Sequence, residues 1–455
     1  MSGFSSLGLG ARALQAAQRG LELSGQNISN INTPGYSRQR LDQVAAGGSA
    51  VPAMWSQSQA YGDGVLVRGT ERIRDEFLEA RAQQVRGSAS TLTSAAATLR
   101  SVEGIFGEPS DTGLQAQMAS FWSSWSDVAN DPTSTAPRTQ LLEESAQLAA
   151  SFQRTSQQLG QQWSGTREAL VATVSEVNRT ATDVARLNDA IRSAKVSGAS
   201  TSELSDQRDQ LVLQLGESVG AVGRLNDDGT VTVTVGGTQL VSGSRTSELR
   251  VGGPTVPGGS APVTVTWASS GTPASVSGGE VHGMTTALNT TIPGYTASLD
   301  AIAAKLASTV NAQQAAGYDR TGAAGKPFFS GTTAATLAVS LTGTNGIAAS
   351  KSPPPAYDGD NASAMAAHLT DKAGPDASYR NLIVELGVQS QSASRQADVQ
   401  GVMLRQVDSA RLGVSSVSLD EEMTNLMSYQ HAYEAAARFV SVIDSTMDSL
   451  MNMAR

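Results

Sequence analysis

Cysteine is absent from the 455-residue chain. Its absence excludes a disulfide framework, a thiolate nucleophile and a thiolate metal site, and leaves every redox compartment open. Aromatic residues make up only 5% of the chain and hydrophobic residues 39%. The cores are therefore thin, although the length suffices for roughly two to four domains. Basic runs are missing too: 32 Lys and Arg stand against 41 Asp and Glu, a net charge of -9. That balance gives no footprint for nucleic acid or an anionic membrane surface. No stretch reaches the roughly 18 continuous apolar residues of a membrane-spanning helix. Residues 1–20 also lack the charged start, apolar core and small-residue cleavage site of a secretory signal, which taken alone points to the cytoplasm.

Catalytic constellations are as scarce. His282, His368 and His431 are far apart and belong to no HExxH-type ligand pair. Gly325-Lys326 is followed by Pro327 and lacks the glycine five positions earlier that a phosphate-binding loop needs. No G-x-S-x-G elbow occurs. Asp420, Glu421 and Glu422 could form an acid/base or cation site; the plainer reading is negative charge complementing a helix N-terminus. His431 and Glu434, three apart, could be two metal ligands, but no partners for them stand out. Trp122 and Trp125, with Phe121 beside them, could line a ligand cleft or fill a helical core. The expectation is a protein that is not an enzyme and holds neither cofactor nor metal.

What the chain does have is periodicity at its two ends. Phe4, Leu7, Ala11, Leu14, Leu21 and Ile28 keep a three-four spacing, interrupted by Gln18 and Gly25. Leu419, Leu426, Tyr433, Val440 and Met447 recur every seven residues, joined by Tyr429, Ala436, Ile443 and Leu450. Ser418 and Glu421 have capping-box spacing, so the last helix should begin at Leu419. These stripes could close an intramolecular hairpin or be seams for other subunits; the interruptions favour a helix that needs neighbours. Further helical spacing runs through 141–159, 170–194 and 295–310, with weaker signals at 77–102 and 382–407. "NDDGTVTVTVGG" at 226–237 reads as a hairpin, and Val263–Trp267 as another strand in a Gly/Pro/Ser-rich stretch. The fold class is mainly α with a β-rich insertion. "SKSPPPAYDGDNAS" at 350–363 reads as a loop.

The stretch "NISNINTPGYSRQ" at 27–39 closes the first helix. Pro34 biases Thr33 away from helix, and Pro34-Gly35, followed by Tyr36, has the order of a type II turn. Ile28 and Ile31 would continue the apolar seam, while Asn27 and Asn30 would bond exposed backbone or neighbouring subunits.

"ISNINTPGYSRQ" resembles the N-terminal motif of the axial proteins of the bacterial flagellum: rod, hook and hook-associated proteins. Gly62-Asp63-Gly64-Val65 with "RGTERIRDEFLEARAQ", "NAQQAAGYDRTGAAGKPFF" (311–329) and "SLDEEMTNLMSYQHAYEAAARFVSVIDSTMDSLMNM" (418–453) are similar to the hook–filament junction members of that family. The resemblance implies a nested hairpin. Residues 1–60 and 408–455 would form an inner coiled-coil layer, 61–219 and 283–407 a helical-bundle domain, and 220–282 a β-rich outer insertion facing solvent. It also implies export through the flagellar apparatus without a cleaved signal, and an extracellular home at the hook–filament junction. Partners would be further copies of the chain, the hook subunit, the next hook-associated junction protein and an export chaperone. Assembly would proceed by folding of the terminal helices as they join the lattice. A hook or distal rod subunit, or an exported enzyme on an axial scaffold, are the alternatives.

Overall fold

The computed structural model describes residues 3–46, 64–354 and 357–453, with side chains from residue 6 onward. The side chain of Phe4, Gly62-Asp63 and the boundary expected at 60/61 lie outside the described residues.

The chain runs α1 (Gly3–Ser29), β1 (Gln39–Ala45), β2 (Val65–Arg72), α2 (Glu76–Phe106), α3 (Leu114–Asn130), α4 (Thr135–Ser197) and α5 (Ser202–Val219). Six short strands follow: β3 (Val222–Leu225), β4 (Val231–Val235), β5 (Thr238–Ser242), β6 (Arg245–Thr246), β7 (Leu249–Gly252) and β8 (Thr264–Trp267). The return path comprises α6 (Gly279–Thr286), a π-helical turn (Ala287–Thr291), α7 (Ile292–Ala315), β9 (Phe329–Ser330), β10 (Ala338–Val339), α8 (Asp360–Ala366), α9 (Pro375–Ser415) and α10 (Leu419–Met453). Pairing is nested, because α1 packs on α10 and α2 on α9. The protein is therefore mainly α with small sheets, as the periodicity implied.

Local chemistry sets the helix limits. Asp75 accepts hydrogen bonds from the Phe77 and Leu78 amides and starts α2, relieving backbone donors that a helix leaves orphaned at its N-terminus. The expected helices at 141–159 and 170–194 are two parts of α4, 63 residues long and about 95 Å at 1.5 Å per residue. Gly160, Ser164 and Gly165 interrupt its apolar pattern without breaking it, since α3, α5 and α7 all pack along this helix.

One core runs through the second layer. Phe121, Trp122, Trp125, Phe328 and Phe329 pack edge to face near its lower end, all fully buried or nearly so. Trp122 donates from Nε1 to Asp376 Oδ2 at 2.7 Å. The tryptophans are thus core rather than cleft lining. The same core continues along Val174, Val177 and Val184 of α4 into Val233, Val241 and Trp267 of the strands. Alternation puts Val231, Val233 and Val235 on one buried face of β4. Asn178 and Asn188 of α4 bond the strand backbone at Leu249 and Val231.

Three expectations are corrected here. The insertion at 220–282 does not stand off as an outer unit, because it shares its core with α4. Its boundary at 282/283 falls inside α6, which packs against α2. The boundary at 407/408 falls inside α9, and the chain changes direction at 416–418 instead. The sequence reading also lacked α3, α5 and the β1–β2 ribbon, whose register shifts between Asp42 and Gln43.

Candidate functional site

The chain termini meet in an antiparallel pair. Gly10 of α1 lies under Phe439 and Val440, Gly20 under the ring of Tyr429, and Asn27 beside Glu422. A Cβ at Gly10 would come within 2.5 Å of Val440 Cγ2, and one at Gly20 within 2.6 Å of Tyr429 Cγ. The α1 residues that meet α10 at Gly10, Gly20 and Asn27 are small or polar, and Ala16, Ala17, Leu23 and Ser24 are also buried.

The α1 stripe expected from the spacing lies beside this intramolecular seam. Leu7 is 38% exposed and Ile31 41%, and Leu14, Leu21 and Ile28 are only half-buried. Their stripe is displaced from the seam by about one residue, or ~100° around the helix. The period was legible; the face was not, because close approach beneath a tyrosine ring selects small side chains over large ones. On α10, Tyr429 and Val440 meet α1 at Gly20 and Gly10, Ala436 is buried and Leu426, Ile443 and Met447 are half-buried, whereas Leu419, Tyr433 and Leu450 are exposed. Only Glu422 and Ala436 of this 35-residue helix are buried.

At the base of the pair the chain turns through Thr33-Pro34-Gly35-Tyr36. The Tyr36 amide donates to Thr33 O at 3.2 Å, and Gly35 has φ +80°, the positive value that the third residue of a type II turn requires. A Cβ there would also overlap the side chain of Gln210. Thr33 Oγ1 donates to Asn30 Oδ1, and Asn30 Nδ2 to Gln26 O, so Asn30 serves the helix end locally.

Asn27 does more. It is 1% exposed and its amide bonds four groups. Nδ2 donates to Gln39 O at 2.9 Å and Glu422 Oε2 at 3.2 Å, while Oδ1 accepts from the Gln39 amide at 3.1 Å and Tyr36 Oη at 2.8 Å. The side chain thus completes the backbone of β1 as a neighbouring strand would, and ties it to α10. Burial, with Asp206 and Glu203 nearby, pushes the Tyr36 hydroxyl up to about 12, keeping it a donor.

Charge reinforces this node. Arg38 Nε donates to Glu422 Oε1 at 2.7 Å, and its Nη1 to Glu421. Burial opposes the Arg38 charge, but these carboxylates outweigh it and its pKa is raised. The proposed capping box is corrected accordingly: the Glu421 carboxylate engages Arg38, and Ser418 contributes its backbone carbonyl to the Glu422 amide. Beneath, the Ser37 amide donates to Asp206 at 3.0 Å, Asp206 accepts from Arg72 at 2.8 Å, and Arg72, Arg74 and Arg208 converge on Asp209. Burial raises the Asp209 pKa, and the three guanidiniums more than reverse it, leaving it lowered. Apart from the adjacent Arg208 and Asp209, these ion partners were not legible, since they lie more than a hundred residues apart in sequence. Of this node Asn27, Tyr36, Glu421 and Glu422 had been singled out, Asn27 as a group bonding exposed backbone or neighbouring subunits; the backbone it bonds is that of Gln39.

The remaining candidates disperse. His282 Nδ1 sits 3.0 Å from Val276 O, while His431 and Glu434 are exposed on α10. Among the described residues no group of three or more side chains is placed to hold a metal ion, and no helix is long and apolar enough to cross a membrane. The arrangement is suited to joining helices, with a rigid turn, a buried polar node and two long apolar edges.

Comparison with known proteins agrees in kind. The family described as the flagellar hook-associated protein FlgK helical domain matches residues 99–329, and that of the flagellar basal body rod FlgEFG protein C-terminal matches 409–453. Flagellar hook-associated protein 1 of Bacillus subtilis is 30% identical over 513 residues, covering 99% of this chain and 98% of its own length. The Escherichia coli protein of the same name is 30% identical over 327 residues, 70% of this chain and 58% of its own length. The flagellar hook junction protein FlgK from Burkholderia pseudomallei superposes with a TM-score of 0.65 at 16% identity, over 76% of this chain and all of its own; this likeness is one of fold.

Proposed function

The chain belongs to the flagellar hook-associated protein 1 family, and from that premise we propose that it is a structural subunit of the flagellum that joins hook to filament. Its place is the extracellular flagellum, at the junction, and its neighbours are the hook subunit, the next hook-associated junction protein and further copies of itself. An export chaperone accompanies it before assembly. It leaves the cell through the flagellar export route and performs no catalysis.

The observation that carries the mechanism is the bareness of the terminal pair. Helix α10 buries two residues along 35, and Leu419, Met423, Met427, Phe439, Val442 and Leu450 stay exposed on it. Helices in proteins draw most of their stability from packing and are marginal in isolation, and exposed apolar rows of this length mark an interaction surface. The terminal pair therefore becomes fully ordered when neighbouring subunits cover it, and the turn at Thr33–Tyr36 leads from that inner layer to the second domain.

Complementation of a junction-deficient strain tests this. The intact chain should restore filament retention, and a chain lacking residues 419–455 should still be exported without restoring it. Failure of the intact chain to retain filaments would refute the junction role. Circular dichroism and limited proteolysis address the folding step: rigid, protected termini in dilute monomer would refute it.

A further inference from the structure

We propose that the outer face of α9 docks on the α4 side of a neighbouring copy of this chain, so that subunits meet flank to flank around the junction. The inference rests on the self-assembling role above and adds which two surfaces meet.

Val384, Val388, Val399 and Val402 of α9 are 65%, 63%, 65% and 56% exposed. With Arg395 among them they follow one another at four, seven, four and three residues, so all five lie on one face of the helix. Leu382, Leu386 and Val407 are buried on the other face. A β-branched residue at an exposed helix position loses rotamer freedom and gains no packing in return, so a row of them has no use in the isolated chain. From Val384 to Val402 is 18 residues, about 27 Å along the axis. Arg86 of α2 bonds Asp408 of α9, and Ser390 bonds Glu103, which places Val399 and Val402 along the flank of the α2–α9 pair and clear of its ends. Arg395 is exposed and has no ion partner among the described residues. By contrast, Arg179, Arg186 and Arg192 on α4 each hold a carboxylate three residues away.

The complement lies on the other flank. Glu168 of α4 is exposed and also has no ion partner among the described residues. Three positions on, Val171 is exposed. The loop before β8 adds exposed Val256, held over α4 because Arg167 donates to Pro254 O at 2.7 Å and Pro257 sits over Gly160. Apolar surface beside a lone carboxylate thus answers apolar surface around a lone guanidinium. Helices α2 and α7 each pack against both α4 and α9 and lie between them, so the two surfaces belong to different sides of one bundle. A contact between them is heterologous and repeats sideways, as a ring or helical array requires. Both ends of the bundle stay free for the hook below and the next junction protein above. A helix face of this length and about 10 Å wide offers roughly 270 Å², against about 800 Å² per partner in a stable complex. The strip is too small to hold two copies together in solution; it fits copies already brought side by side by their terminal helices.

Photo-crosslinking in isolated flagella tests this. A chain carrying p-benzoylphenylalanine at position 399 is expressed, and its flagella are irradiated. A product of about twice the 46.9 kDa of the chain is expected, joined to residues 165–175 or 253–260 of a second copy. Monomer alone from flagella that contain this chain at the normal level would overturn the proposal, as would a product with a different flagellar protein. Charge reversal decides independently, including where the labelled chain fails to enter flagella. Arg395→Glu and Glu168→Arg should each lower incorporation about fivefold, with thermal unfolding of the free chain unchanged because both side chains are exposed. Together they should recover about half of the parental level; normal incorporation of either single variant, or no recovery in the double, overturns the proposal. Failure of the underlying role looks different, since the unsubstituted chain would then be missing from the junction.

Discussion

Truncating Asn27 to alanine removes the side chain that completes β1 and reaches α10. The amide and carbonyl of Gln39 lose their partners in a site where Gln39 is itself 4% exposed. Leaving a buried polar group unsatisfied costs roughly 1–3 kcal/mol, so two orphaned groups set a range of about 2–6 kcal/mol. Glu422 keeps its 2.7 Å bond from Arg38, which holds the loss toward the middle, about 3 kcal/mol. That corresponds to roughly a 150-fold change in an opening equilibrium. Hydrogen–deuterium exchange on the protein assembled in isolated flagella, read by mass spectrometry, should show this acceleration in residues 37–45 and at the start of α10, with α3 unchanged, because the aromatic core around Trp122 does not touch the node. Asn27→Asp should be worse than alanine at neutral pH, placing a second carboxylate against the buried Glu422 and abolishing both donations. Exchange at Gln39 no faster than in the parent protein, or an acceleration spread equally over α3, would refute the reasoning.

Gly20→Val should unpair α1 from α10, since its Cβ overlaps the Tyr429 ring; a distance label on the two helices would report separation. Gly25→Ala, with nothing within 4 Å of the new Cβ, should leave the pairing intact and stabilise α1 by about 0.5–1 kcal/mol, measurable as thermal stability. Gly35→Ala should cost about 1–3 kcal/mol for the positive φ, with a further term from Gln210 and loss of filament retention; unaffected filaments would leave the turn without a role in assembly. The Asp209 carboxyl has a lowered pKa in the folded state, so its stabilisation is present above the ordinary carboxylate value near 3.8 and is lost as pH falls through the lower folded value. Urea unfolding across that acid range should show the loss, and Asp209→Asn should flatten this limb while destabilising the neutral protein by about 3–5 kcal/mol, leaving Arg72, Arg74 and Arg208 short of their shared carboxylate.

Much of the architecture was legible because it is periodic. The seven-residue recurrence from Leu419 to Met447 placed α10, and Pro34-Gly35 located the turn, since both depend on neighbours in sequence. What escaped depends on distant residues. The α1 stripe is genuine, but which side of a helix is pressed closest is decided by the partner's bulk, and the ring of Tyr429 favours Gly20 over Leu21. The union of two helical segments into α4 escaped because tertiary packing carries a helix across Gly160 and Gly165, where propensity alone is weak. Asn27 was expected to bond exposed backbone or a neighbouring subunit; that the backbone is that of Gln39, and that Glu422 joins it, cannot be recognised without knowing that β1 and α10 return beside it. The convergence of Arg72 and Arg74 on the adjacent Arg208–Asp209 pair has no local signature.

The bond from Asn27 to Glu422 spans 395 positions of chain, which makes it among the last contacts that this polypeptide can form. Closing loops of that size is entropically expensive and slow compared with forming local helices. Whichever end of the chain is delivered first, the clasp stays open until nearly every other residue has arrived. A truncated or stalled polypeptide therefore cannot present the paired helices, and completeness of the chain is checked by the same contact that makes it fit for use.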